Sequence, residues 1–198
     1  MTPLDEAALR ALGDDRCLSV MSLRIFRAGL KHELVDRKWP AFEEAFLGFV
    51  PARVVALSDD DLDRRLADPR LIRHGGKIRA IRDNAAAMLE LAREHGSMGA
   101  WLAGWPGERI VDLWAALAGR FKQLGGQSAP MVLRMLGKDT FLLTPDVTAM
   151  LERLGVVEGP PRSARDLASV QAAFNAWARM TGRPLCQLSQ MLALAKDA

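Results

Sequence analysis

Apolar residues recur at helical spacing along almost the whole of this 198-residue chain, and no stretch alternates as a half-buried strand must. Leu23, Phe26, Leu30 and Leu34 share one face of a helix expected over 20–37, closed by Lys38-Trp39-Pro40. Pro40 suits the first turn of a further helix that buries Phe42, Phe46 and Phe49. Ser58 and Asp61 have capping spacing and open a helix through Leu66. A long helix is expected from Gly75 or Gly76 to about Glu94, then shorter ones over 97–103, 112–123 and 128–136. Thr144-Pro145 pairs an N-cap with a proline at the first helical position and opens a helix to Leu154. One clear linker, 157–163, precedes two last helices over 164–180 and 184–195, and a short helix over 4–12 begins the chain. The expected fold class is all-α.

So many helices need a shared core, and a chain that is 49% hydrophobic and 26% charged can build one. The formal net charge of +3 is too small to establish nucleic-acid binding, so the placement of the cations matters more than their sum. Cys17 and Cys186 lie far apart, and buried thiols are favoured over a disulfide joining the termini. No Cys-x-x-Cys or His-x-x-x-His spacing offers a metal set, so neither metal nor cofactor is expected. The first residues carry no basic and apolar leader, and no apolar run approaches the roughly 20 residues needed to cross a bilayer. The expectation is a cytoplasmic protein with no membrane contact, acting as a monomer. Trp39, Trp101, Trp105, Trp114 and Trp177 are expected in cores and interfaces rather than as stacking platforms.

Four segments carry chemistry. Leu71-Ile-Arg-His-Gly-Gly-Lys-Ile-Arg-Ala-Ile-Arg-Asp-Asn84 sets two glycines at the mouth of a basic helix, with Arg73 and Lys77 beside Gly75 and Gly76. Free backbone N–H groups and positive side chains at a helix start make a phosphate site. Around Gly125-Gly126, a helix, a tight turn and a second helix form a candidate helix-hairpin-helix over about 112–136, with Lys122, Arg134 and Lys138 around it. The local alternative is a helix C-cap and a plain turn. Asp146 follows Thr144-Pro145, where an acid in the first helical turn is also favoured by the macrodipole. Leu23-Arg-Ile-Phe-Arg-Ala-Gly-Leu-Lys-His32 places Arg24, Arg27 and His32 around a glycine, either as a solvated helix face or as a ligand site.

Read together, these segments resemble the 3-methyladenine DNA glycosylase I family, within the helix-hairpin-helix glycosylase superfamily. That family pairs an Ala-Gly-Leu-Ser-Trp helix, matched here at Ala28-Gly29-Leu30, with Ile-Arg-His-x-Gly-Lys-Ile-x-Ala-Ile, matched at 72–81. The resemblance implies a two-lobed helical fold, one glycosylase-like domain over 1–198, and excision of an alkylated purine such as 3-methyladenine from double-stranded DNA after base flipping. Carried over by position, the family's base-recognising Glu, Gln and Trp become Arg24, Arg27 and His32. The superfamily's catalytic Asp has its nearest carboxylate at Asp146, two residues displaced. Arg73, Gly75, Gly76, Lys77, Lys122, Gly125, Gly126 and Lys138 become the DNA-binding set. The family's N-terminal Cys-Gly-Trp and Tyr-His-Asp-x-Glu-Trp-Gly elements and its C-terminal zinc-completing Cys and His have no counterpart. A catalytically silent DNA-binding protein and a helical interaction protein on the same fold are the alternatives.

Overall fold

The computed structural model describes residues 2–197, and among them there is no β strand. Twelve α-helices follow one another among these residues, with short 3-10 turns between or after some of them: α1 (Glu6–Arg10), α2 (Asp14–Arg27), α3 (His32–Ala45), α4 (Pro51–Val55), α5 (Asp59–Ala67), α6 (Gly75–His95), α7 (Met98–Ala103), α8 (Ile110–Arg120), α9 (Ser128–Met135), α10 (Pro145–Arg153), α11 (Ala164–Thr181) and α12 (Leu185–Leu194). The starts follow the capping chemistry written in the sequence. Ser58, Ser97, Thr144 and Ser163 each accept a backbone N–H from three residues on, and Ser58–Asp61 and Ser163–Asp166 close reciprocal capping boxes.

The helix expected over 20–37 is two helices. Its apolar period runs through a break: Gly29 has φ +77°, a conformation that costs glycine little and ends α2, and α3 restarts at His32. Pro40 lies inside α3 rather than at the start of a new helix. The hydrogen bond that Pro40 cannot donate is offset by packing, because Trp39 stacks on Phe42 and on Phe49, and Phe42 on Phe46. The helix expected over 112–123 runs from Ile110 and stops at Arg120, after which the backbone extends into the hairpin turn.

Two aromatic clusters mark two halves of the core. Phe26, Trp39, Phe42, Phe46 and Phe49 pack together in the first; Trp114, Phe141, Phe174 and Trp177 in the second. Trp101 and Trp114 are buried and Trp39, Trp105 and Trp177 pack against the core, as expected of structural tryptophans. Helix α6 runs through the first half against α2, α4, α5 and α7. The α11–α12 pair is tied to the second half by polar clamps. Gln171 Oε1 accepts from Val111 N (3.0 Å), and the Asp139 carboxylate caps α12 by accepting from Leu185 N (2.8 Å) and Cys186 N (2.9 Å).

Two predictions arise from this packing. Helices α1 and α7 meet at Gly99, where an added Cβ would lie 2.3 Å from the Leu9 carbonyl oxygen. Gly99→Ala is expected to lower stability by about 1–3 kcal/mol in denaturant titration, because backbone rather than a flexible side chain must move. Neither Cys17 nor Cys186 is in a disulfide, and both are buried. Burial, with Asp14 and Asp15 adding to it, pushes the Cys17 thiol up to about 12. The unfolded chain therefore loses that proton first, and Cys17 lowers stability progressively as pH rises from the ordinary thiol range towards 12. Folded protein at pH 8 is expected to leave Cys17 unlabelled by iodoacetamide until denaturant is added.

Candidate nucleic-acid interface and base site

Helix α6 acts as a spine that holds two turns at a fixed spacing. Lys77 and Asn84 lie two turns apart on one face of it, about 10 Å along the axis, and both are buried. At the first position the Lys77 ammonium donates to the carbonyl oxygens of Ala28 (2.7 Å) and Phe26 (3.5 Å) and sits over the Phe26 ring. It thereby neutralises the negative end of α2 and fixes the Ala28–Gly29 turn. At the second position Asn84 donates to Lys122 O (3.1 Å) and accepts from Lys122 N (2.6 Å), fixing the start of the hairpin turn between α8 and α9.

That turn has the chemistry of a phosphate grip. Gln123 and Gly126 have positive φ, and Leu124 is fully buried as the anchor. The amides of Gly125, Gly126 and Gln127 donate to no backbone acceptor, and these residues are exposed. Lys122, three residues before Gly125, is exposed as well. Lys122→Ala is expected to weaken binding to any duplex and to reduce the slope of log K against log salt by about 1, with little change in melting temperature.

At the other helix mouth, His74 caps α6 by accepting from Lys77 N through Nδ1 (3.3 Å), and Arg73 and Gly76 are exposed. Two members of the expected DNA-binding set are corrected here. Lys77 is spent on α2, and Lys138 is buried with its ammonium donating to Trp105 O, so neither has an ammonium free for phosphate. Burial holds both amines below their ordinary value. A cation placed correctly along the chain can still point inward, and only the packing reveals it.

Arg24 and Arg27 both extend from the last turn of α2, and His32 is exposed at the first position of α3 across the Gly29 turn. Arg27 forms a two-pronged ion pair with Asp36 at 2.9 and 2.8 Å. Arg24 is partly buried, and its Nε is enclosed without a hydrogen-bond partner. Asp146 stands in the first turn of α10, half exposed and paired with Lys196 near the end of the chain. Among the described residues it pairs with none of the arginines. Arg134 donates to Thr140 O (2.6 Å) and lines two cavities. One, about 360 Å³, lies against α2 at Arg16 and Val20; the other, about 280 Å³, lies against α10 at Thr144 and Val147.

A family model described as methyladenine glycosylase matches residues 8–157. The chain belongs to that family. Over 65 residues it is 38% identical to DNA-3-methyladenine glycosylase 1 of Escherichia coli (strain K12), a match covering 33% of this chain and 35% of that protein. The chain thus spans about a third of the length of the curated relative it matches. The fold is similar to that of 3-methyladenine DNA glycosylase I from Staphylococcus aureus, solved to show recognition of 3-methyladenine. There the TM-score is 0.55 at 26% identity, over 63% of this chain and 76% of the other. A variant of 3-methyladenine DNA glycosylase I solved in complex with 3-methyladenine gives a TM-score of 0.57 at 24% identity over 63% and 77%, a likeness of fold. Helices α11 and α12 follow the matched region. Among the described residues no group of three His, Cys, Asp or Glu side chains could hold a metal ion, and no helix is long and apolar enough to cross a membrane.

Sequence reasoning missed three members of this arrangement. Asn84 was detectable by counting two helical turns from Lys77. Asp36 and Lys196, the partners of Arg27 and Asp146, carry no local signal at all.

Proposed function

We propose that this chain is a DNA-repair N-glycosylase that flips a damaged base from duplex DNA and hydrolyses its glycosidic bond, with an alkylated purine such as 3-methyladenine as the substrate class. The observation that carries this reading is the joint placement, along one face of α6, of the α2–α3 turn and a hairpin with unengaged amides, in a chain of the methyladenine glycosylase family. The hairpin takes a phosphate, Arg73 and Lys122 add sequence-independent attraction, and the flipped base approaches Arg24, Arg27 and His32.

The chemistry moves a charge. A 3-alkylated purine carries its positive charge on the base; as the bond to C1′ breaks, the base leaves neutral with the bonding electrons and the charge passes to the sugar. Water then adds at C1′ and releases its proton. Cations beside the base bind the charged lesion weakly but are relieved as the charge departs, and Asp146 stabilises the sugar cation that receives it. The pair with Lys196 does not prevent this, since an ion pair this exposed is worth about 0–1 kcal/mol and opens readily. The same pair is what favours the alternative, a silent DNA-binding protein whose carboxylate is kept engaged. Incubation with methylated duplex DNA, followed by cleavage at abasic sites, separates the two. Strand breaks support the enzyme, and salt-sensitive binding without breaks supports the silent form.

A further inference from the structure

Arg24 is the one arginine of the α2–α3 turn that the protein leaves unsatisfied. Among the described residues its guanidinium makes no hydrogen bond or ion pair, and its Nε is enclosed. Its neighbours make matters worse. Arg27 and Lys77 are the charged groups that act on it, both are positive, and burial together with Arg27 disfavours its charged form. Of the two carboxylates early in α3, Asp36 spends both oxygens on Arg27, and the exposed Glu33 makes no ion pair with Arg24. Only Nε is shut away from solvent, so the two terminal nitrogens stay open to an acceptor from outside the chain, and the enclosed Nε is costly without one. Space is available: a Cβ added at Gly29 would meet nothing within 4 Å. Arg24 also lies one helical turn beyond Val20, which lines the 360 Å³ cavity against α9.

We propose that Arg24 selects a purine whose exposed edge offers acceptors, so that the preferred lesion is an alkylated guanine rather than an alkylated adenine. This inference rests on the glycosylase reading above. Guanine presents O6 and N7 side by side, the pair of acceptors that an arginine fork matches. Adenine presents N7 beside a 6-amino donor, which would meet donor with donor and leave the guanidinium unsatisfied.

The test compares release of 3-methylguanine from methylated poly(dG-dC) with release of 3-methyladenine from methylated poly(dA-dT), by the wild-type protein and by Arg24→Glu, Arg24→Gln and Arg24→Ala. The expected result is a wild-type preference for 3-methylguanine of about tenfold or more in kcat/KM, abolished in the Gln and Ala variants and reversed in the Glu variant. The Gln and Glu variants should melt at or above the wild-type temperature, because no native hydrogen bond or ion pair is lost, whereas a structural role for Arg24 would lower it in all three. Preference for 3-methyladenine in the wild type, or a ratio unmoved by all three substitutions, overturns the inference while leaving the glycosylase intact. If neither polymer yields free base, it is the glycosylase reading that fails. Calorimetric binding of free 3-methylguanine and 3-methyladenine then decides the role of Arg24: tighter 3-methylguanine binding that is lost in Arg24→Ala sustains it, and equal binding refutes it.

Discussion

Asn84→Ala is expected to cost about 2–3 kcal/mol of stability and to weaken duplex DNA binding by roughly an order of magnitude. The side chain is fully buried and holds both backbone groups of Lys122, one as donor and one as acceptor. Removing it leaves the Lys122 N–H and C=O to find water at a partly buried junction, and frees the turn proposed to grip the phosphate. Two readouts should therefore move together. Denaturant melting reports the lost hydrogen bonds, and electrophoretic retardation reports the hairpin, since a loosened turn must be reordered before it can bind. Lys122→Ala provides the contrast, because its exposed side chain holds nothing and its loss should touch binding alone. Unchanged DNA affinity in a destabilised Asn84→Ala protein would show that the turn is not the phosphate grip.

The second large effect concerns chemistry rather than folding. Asp146→Asn keeps the volume of the side chain but cannot neutralise a sugar cation, and it is expected to lower the single-turnover rate by about 10² or more. Stability should hardly change. Helix α10 is capped by Thr144 and started by Pro145, and the Lys196 pair that the substitution weakens is exposed. Lys196→Ala, which frees the carboxylate, is expected to leave the rate unchanged or raise it. DNA affinity of the Asn variant should stay within about twofold of wild type, because Asp146 repels phosphate if it acts on it at all. An undiminished rate in Asp146→Asn would place the catalytic carboxylate elsewhere.

Helix starts, the all-α class and the family were legible because they depend on local chemistry. Serine and threonine caps, Pro145 at a first helical turn and the Ile-Arg-His-Gly-Gly-Lys segment act within a few residues of themselves. The break at Gly29 was harder, because apolar period continues across it and only a positive φ reveals the turn. Pro40 misled for the opposite reason: it signals a helix start locally, yet an aromatic stack contributed by Trp39, Phe42, Phe46 and Phe49 carries α3 through it. The cations were the least legible. Lys77 and Lys138 look like phosphate ligands by position, but each is buried against carbonyl oxygens brought in from distant elements. Asp146 meets Lys196 across 50 residues of chain, a pairing set by how α12 packs on α10.

The measurement that bears most directly on the enzyme is single-turnover incubation of excess wild-type protein with methylated duplex DNA, counting released base and abasic sites in the same samples. A glycosylase gives equal yields of the two, appearing in one exponential phase well above the uncatalysed rate. Full retardation of the same DNA with abasic sites at the uncatalysed level would contradict it.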